Sequence, residues 1–162
     1  MKKLILEFIA GIANGIYFGC RYEVKKVFNK PFIIKHCHEK GIASLIMYRV
    51  FWFFYIPFIE INDAFYTFEK DEQEFIIRHE LGHYKYKHHK IHNIIQVLTS
   101  EESNELEKQA DLYALLYTNK EVALRTLNKV EDYLILAEVE KEYIDLLRDR
   151  IVHIEKVKER AN

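Results

Sequence analysis

The chain has 162 residues, of which 49% are hydrophobic and 30% are charged, and its formal net charge is -1. A chain of this length buries a core without disulfide or metal staples, so we expect one domain over residues 1–162. This charge balance excludes a strongly basic nucleic-acid-binding protein and a charge-rich disordered chain. The two cysteines, Cys20 and Cys37, form neither a disulfide framework nor a Cys-x-x-Cys metal clip. We interpret both thiols as reduced and expect a cytoplasmic location.

Two apolar stretches have features of export or membrane segments. Residues 4–19 follow two lysines as in a signal peptide, but Glu7 and Asn14 interrupt the apolar run. Residues 45–59 are as apolar as a membrane span, but they are short for one and contain Arg49. Export and membrane association are therefore not favoured, and a membrane-associated protein is kept as the alternative.

The first third of the chain predicts one helix followed by strands. Glycine and proline are scarce, with five and two residues in the whole chain, which favours long helices. We expect a helix over residues 4–28 that ends ahead of Pro31, because the residue before a proline is disfavoured in the helical conformation. Residues 32–37 and 44–63 are rich in aromatic and β-branched side chains, which predicts a small sheet, broken near Pro57.

The remainder of the chain predicts helices. Asp71 and Glu74 form a candidate capping pair, and apolar residues then recur at helical spacing through residues 75–84. Three more helical segments follow, at residues 105–118, 121–130 and 133–154. The apolar stripe of the last segment favours packing on its own domain over a coiled coil, since too few heptads are sustained. The predicted fold class is therefore α+β, predominantly helical, with a small β-sheet preceding the first of these helices.

This first helix contains the string HELGH. Because residues four apart share a helix face, His79 and His83 can direct imidazole nitrogens at one zinc ion. Glu80 comes alongside the metal, which suits a general base that takes a proton from metal-activated water and passes it to the leaving amine. Gly82 costs about 1 kcal/mol relative to alanine inside a helix, which is explained if another backbone or a substrate approaches closely.

A catalytic zinc site needs a third protein ligand. His89 has the register of the third histidine in the HExxHxxGxxH pattern, but Tyr86 replaces the glycine that turns the chain there. Without that turn we expect His89 to stay on a continuing helix, out of reach of the metal. Glu107 is the preferred ligand, because it lies on a separate predicted helix, 24 residues after His83. Asp111 shares its helix face and is expected to accept the second N–H of a ligating histidine.

The alternative for these residues is a helix surface without function. The histidines would then be solvated spectators, and Glu107 and Asp111 would form an exposed acidic face. Two small residues on the adjoining face, Ala110 and Ala114, would instead let the two helices come close. The position of Glu107 and Asp111 after the HELGH string favours the functional interpretation.

Residues 74–88, in which HELGH is followed by a basic stretch and His88, resemble the helix of the gluzincin peptidases. This family includes the heat-shock membrane protease and the prenyl-protein (CAAX) protease. Residues 107–111 resemble its ligand helix, and Arg150-Ile151 with Ile154 is similar to its terminal Arg-Ile element. The resemblance implies a zincin-like fold, zinc at His79, His83 and Glu107, base chemistry at Glu80, and a supporting role for Asp111.

The chain departs from this family in the segment before Arg150. Ile144-Asp145 replaces the His-Pro often found there, and the clear transmembrane helices of the membrane-bound members are missing. The soluble ImmA/IrrE-type metallopeptidases, which cleave transcriptional repressors, are similar in size, in residues 59–62 and in HELGH, but usually have asparagine at the position of Asp111. The residue that would stabilise an oxyanion stays open among Tyr113, Tyr133 and His153.

Three hypotheses follow from these patterns. The first is a small zinc metalloendopeptidase of the gluzincin type that acts on a protein or peptide substrate. The second is a catalytically silent zincin-fold module that binds a protein partner. The third is a membrane-associated protease with residues 4–19 and 45–59 in or on the bilayer. Cleavage specificity and oligomeric state have no sequence-based prediction.

Overall fold

The computed structural model describes residues 21–27, 30–36, 42–49, 55–88 and 100–158. Contacts divide the chain into two compact units, Met1–Thr67 and Phe68–Asn162. The described part holds a sheet followed by four α-helices, so the predicted α+β, predominantly helical fold class is confirmed, as is the sheet that precedes the HELGH helix. A single domain over residues 1–162 stays a prediction.

Four strands form a sheet in the described part of the first unit. They are β1 (Arg21–Val27), β2 (Lys30–His36), β3 (Ala43–Arg49) and β4 (Tyr55–Ile61), and a short 3₁₀ helix follows at Asp63–Thr67. The order in the sheet is β1-β2-β4-β3, with β2 and β4 parallel and the other two pairs antiparallel. Ile33 and Ile59, one on each central strand, are fully buried. The apolar stretch at residues 45–59 thus contributes to strands, as its composition predicted.

Two predictions for this unit are wrong. The helix expected over residues 4–28 is replaced over its last part by β1, which pairs along its whole length with β2; residues 4–20 lie outside the described part. Residues 21–27 form a strand because they pair with β2, and no local sequence pattern reveals that pairing. The sheet is not broken at Pro57, which lies within β4 opposite Met47. The pairing of β4 with β2 starts only at Phe58, so the missing N–H of the proline is not needed there.

The described residues of the second unit form four α-helices. They are α1 (Lys70–Tyr86), α2 (Ser100–Leu115), α3 (Lys120–Leu136) and α4 (Lys141–Lys156). Their core joins one aromatic residue to small and aliphatic side chains from all four helices: Phe75, Ala114, Val122, Ala123, Leu127, Leu147 and Ile154. The last helix therefore packs on its own unit, as predicted. No described helix is long and apolar enough to cross a membrane.

The helix limits differ from the predicted ones. The start of α1 is capped by Glu72, which accepts a hydrogen bond from the Glu69 backbone N–H at 2.7 Å, rather than by Asp71 and Glu74. Glu72 is fully buried and forms ion pairs of 2.8 Å with Arg125 and with Lys129, so tertiary contacts fix the cap. The predicted segment at residues 133–154 is divided between α3 and α4, and α2 begins five residues earlier than expected.

Candidate metal centre

Two neighbouring helices bring three candidate ligands together. On α1, His79 and His83 lie one turn apart, with their Nε2 atoms 3.0 Å from each other. On α2, Glu107 places Oε2 3.1 Å from His79 Nε2 and Oε1 3.3 Å from His83 Nε2. Within the described residues, these three form a group whose ligand atoms all lie within 4.8 Å of one another, so the group can hold a metal ion. The structure thus places Glu107 where the sequence-based prediction needs it.

The close approach of the two helices explains Gly82. A Cβ atom added at Gly82 would lie 2.9 Å from the Cα and 3.1 Å from the carbonyl oxygen of Ala110. Real Cβ atoms essentially never come that close to backbone atoms, so no side chain fits without moving α2. Ala110 and Ala114 are both fully buried, as expected for small residues between helices. Glu107 precedes this contact by less than one turn, so the contact fixes its distance from the histidines.

Asp111 and Arg150 support the ligands from one side. Asp111 is fully buried, and its Oδ1 accepts a hydrogen bond from His79 Nδ1 at 2.8 Å. Arg150 donates from Nε and Nη2 to the two oxygens of Asp111, both at 2.8 Å, and its Nη1 lies 3.0 Å from Glu107 Oε2. The predicted role of Asp111, to hold the second N–H of a ligand histidine, therefore matches its position. This arrangement leaves Nε2 of His79 facing the candidate metal position.

The charged groups around His79 shift one another's pKa values. Burial alone would lower the pKa of His79, but Asp111 and Glu107 raise it to about 10. Burial alone would raise the pKa of Glu107, but His79, His83 and Arg150 hold it well below its usual range. The pKa of Asp111 is lowered in the same way, against its burial, by Arg150 and His79. Without a metal ion, His79 is therefore protonated at neutral pH, with both of its N–H groups donated to carboxylates.

Glu80 is buried next to the ligands. Burial of Arg150 would lower the pKa of its guanidinium, but the carboxylates of Asp111, Glu107 and Glu80 raise it. Glu80 therefore belongs to the same electrostatic group as the ligand-bearing side of the site. Its location one residue after His79 is the one expected of a general base beside the metal.

His83 contacts a second histidine, His88, which in turn contacts α2. Its Nδ1 lies 2.9 Å from His88 Nδ1, and His88 Nε2 lies 3.3 Å from Gln109 Oε1 on α2. Only 1% of His88 is exposed, and the ring of Tyr86 stacks on it with centroids 5.7 Å apart. Burial, followed by the nearby charge of His83, lowers the pKa of His88. A neutral ring between His83 and Gln109 follows from these contacts.

A left-handed residue turns the chain at this point. The helix α1 ends at Tyr86, and Lys87 adopts φ 62°, with its N–H directed back to the carbonyls of His83 and Tyr84. We expected α1 to continue through His89 because no glycine turns the chain after His83. This expectation is wrong, because Lys87 takes the left-handed conformation usually given to glycine and α1 ends before it. His89 itself lies outside the described residues.

The three oxyanion candidates are distributed over separate helices. Tyr113 contacts the rings of Tyr86 and Tyr117, and burial, with the hydrogen bond to Tyr117, raises its pKa to about 12. Tyr133 lies on α3, and His153 lies on α4 with its Nε2 buried and without a hydrogen-bond partner among the described residues. The choice among the three stays a prediction.

Two residues of this site were noted only as parts of motifs in the sequence. Arg150 lies 39 residues from Asp111, and its pairing depends on the packing of α4 against α2. His88 reaches His83 only through the turn at Lys87, which helical periodicity does not predict. The one available signal was the resemblance, which matched both positions without a role. No family model, curated protein or solved structure matches this chain, so the interpretation of the site depends on its geometry.

Proposed function

We propose that this protein is a zinc-dependent metalloendopeptidase of the gluzincin type that hydrolyses peptide bonds in a protein or peptide substrate. The observation that carries the proposal is the cluster of His79, His83 and Glu107 with Glu80 buried beside it. Two imidazoles and one carboxylate, with one coordination position left open, are a known catalytic zinc set. A zincin-like fold and a cytoplasmic location belong to the same proposal.

The distances between the ligand atoms support zinc as the metal. A tetrahedral zinc ion with ligands at about 2.0–2.1 Å separates its ligand atoms by roughly 3.3 Å. The Nε2 atoms of His79 and His83 lie 3.0 Å apart, while Glu107 approaches the first through Oε2 at 3.1 Å and the second through Oε1 at 3.3 Å. The residues present therefore fit the ion once Glu107 rotates to present one oxygen to it.

Each residue of the cluster has a role in this reaction. Bound zinc supplies Lewis acidity, which lowers the pKa of the attacking water and polarises the scissile carbonyl. His79 and His83 hold the metal through Nε2, and Asp111 keeps the proton of neutral His79 on Nδ1. Glu80 takes the proton of the attacking water and delivers it to the leaving amine. Arg150 offsets the negative charges of Glu107 and of buried Asp111.

The buried carboxylate of Glu80 favours an enzyme over a binding module. A metal site that only stabilised a fold has no need of a base, whereas Glu80 is buried and acts on Arg150 together with Asp111 and Glu107. A general base gives that carboxylate a purpose. The catalytically silent binding module is therefore the outcome that the experiment below must exclude.

The test measures zinc content and peptide hydrolysis on the purified full chain. We expect one zinc per chain, casein cleavage by the zinc-loaded protein, and a loss of about 10²–10⁴-fold in rate for Glu80→Gln at unchanged zinc content. Glu74→Gln is the matched control, because it makes the same chemical change on an exposed residue of the same helix. Stoichiometric zinc without cleavage, or with cleavage unaffected by Glu80→Gln, would overturn the mechanism. Fractionation of expressed protein tests the membrane-associated alternative.

A further inference from the structure

We propose that His88 is a positioning residue for the zinc ligand His83, and that Gln109 sets the tautomer of both rings through it. The proposal builds on the metal site proposed above, because it concerns which nitrogen of His83 faces the metal. It adds a hydrogen-bonded chain of three side chains behind one ligand. The chain runs from His83 through His88 to Gln109 and thereby returns to α2, the helix that carries Glu107.

The contacts at the two ends of this chain favour one arrangement of protons. Two Nδ1 atoms that lie 2.9 Å apart form a hydrogen bond only if one carries a proton and the other offers a lone pair. At the other end of the chain, the amide oxygen of Gln109 is an acceptor and therefore needs a donor from His88 Nε2. His88 thus carries its proton on Nε2 and accepts at Nδ1. The donor at the first contact must be His83.

This arrangement is the one that metal binding needs. When His83 carries its proton on Nδ1, the neutral ring presents the lone pair of Nε2, which lies 3.3 Å from Glu107 Oε1 and 3.0 Å from His79 Nε2. The opposite tautomer would put a proton on Nε2, where the metal has to bind, and would leave two lone pairs facing each other. The two contacts behind the ring, between His83 and His88 and between His88 and Gln109, therefore disfavour the wrong tautomer.

The surroundings of His88 keep the ring in place. The ring is 99% buried, stacks on Tyr86, and uses both of its nitrogens in the contacts with His83 and Gln109. It is delivered to this position by the left-handed turn at Lys87. A ring with both nitrogens in use does not serve as a fourth ligand of the same metal ion, which leaves a support role.

The test compares two replacements of His88 by zinc affinity, measured on the full chain by competition with a chelator. His88→Asn keeps an acceptor close to the position of Nδ1, whereas His88→Phe keeps a flat ring without an acceptor. We expect His88→Phe to weaken zinc binding 10–100-fold and His88→Asn to recover most of that loss. Gln109→Met, which removes the last acceptor at an exposed position, should weaken binding by a smaller factor. His36→Phe makes the same change at the histidine of strand β2 that contacts Tyr66, and it is the matched control that should leave the affinity unchanged.

The outcomes separate this proposal from the proposed function. A wild-type chain that binds no zinc overturns the metal site and the positioning role together. One zinc per wild-type chain with unchanged affinity in His88→Phe overturns the positioning role alone. Equal losses in His88→Asn and His88→Phe show that the ring acts by packing, which also overturns it. Two zinc ions per chain, with one lost in both variants, would make His88 a ligand instead. If His88→Phe fails to fold, unchanged affinity in Gln109→Met overturns the proposal.

A spectroscopic readout tests the tautomers directly. In the zinc-loaded chain with nitrogen-15-labelled histidines, we expect a proton on Nδ1 of His83 and on Nε2 of His88. Gln109→Glu offers a charged acceptor and should shift the His88 Nε2–H resonance downfield, since charge-assisted hydrogen bonds are shorter and stronger. A proton on Nε2 of His83 would contradict the proposal.

Discussion

The two histidines of the candidate metal centre are held by opposite means. His79 is backed by charge, through buried Asp111 and Arg150, whereas His83 is backed by the neutral side chains His88 and Gln109. We name these groups the charged side and the neutral side. Each side includes one residue of α2, which is Asp111 on the charged side and Gln109 on the neutral side. One helix therefore supports both histidines and also carries Glu107. The charged side therefore depends on complete pairing of buried ions, whereas the neutral side depends on proton positions alone.

The largest expected effect on stability comes from removing Arg150 from the charged side. Arg150→Met leaves the carboxylate of Asp111 buried without its bidentate partner, so we expect a loss of about 3–5 kcal/mol in the free energy of unfolding. Urea denaturation of the zinc-free protein measures this loss. Arg148→Met, which removes an exposed arginine on the same helix, is the control and should change stability little. Equal effects of the two substitutions would show that the buried pairing contributes nothing.

The next effect is the dependence of zinc affinity on pH. Because His79 has a pKa raised from 6.5 to about 10, a proton occupies its Nε2 at neutral pH and competes with zinc. Raising the pH removes this competitor, so the affinity should increase about tenfold per pH unit between pH 6.5 and 8.5, with release of a proton. Calorimetry in buffers of different ionisation enthalpy counts that proton. Asp111→Asn should flatten the slope, and a slope unchanged by it would contradict the role given to the charged side.

A smaller effect on stability and zinc affinity is expected at the contact between Gly82 and Ala110, because α2 carries residues of both sides. Gly82→Ala gains up to about 1 kcal/mol of helix propensity, but it forces a Cβ against Ala110, and overpacking costs about 1–3 kcal/mol. We expect a small net loss of stability together with weaker zinc binding, because Glu107 moves with α2. The closest atoms of Ala110 are its Cα and carbonyl oxygen, so Ala110→Gly should not restore affinity. Full recovery of zinc affinity in the variant that combines Gly82→Ala with Ala110→Gly would show that the added Cβ clashes only with the side chain of Ala110.

The smallest effect concerns the turn behind the neutral side. Lys87→Gly relieves a left-handed backbone conformation and should raise the free energy of unfolding by about 1 kcal/mol or less. Lys85→Gly, inside the last turn of α1, should lower it by about the same amount. Thermal denaturation of the two variants measures the difference. A loss of stability in Lys87→Gly would mean that the lysine side chain contributes more than its backbone costs.

The ligand cluster could be predicted from the sequence because helical periodicity is a local rule. His79 and His83 are separated by four residues, as are Glu107 and Asp111, so each pair lies on one face wherever its helix packs. Gly82 was also informative, because its cost inside a helix called for a close neighbour, and Ala110 is that neighbour.

The supporting residues depend on information that is not local. The pairing of Arg150 with Asp111 follows from the packing of α4, and the contact of His88 follows from one residue, Lys87, in a conformation that lysine rarely takes. The segment Arg21–Val27 was misassigned for a related reason, because strand β1 depends on its partner β2. Long-range pairing overrode local preference in each case.

The contact between Gly82 and Ala110 also links metal supply to the persistence of the protein. The candidate ligands come from two helices whose backbones touch there, so the proposed site is complete only when the helices are docked. A ligand that binds only the folded state at a hundred times its dissociation constant adds about 2.7 kcal/mol to stability. If the proposed site binds zinc, we therefore expect the helices to separate more often when free zinc is low, which limited proteolysis of the zinc-free chain would detect. The same metal would then set the lifetime of the folded chain as well as the proposed activity.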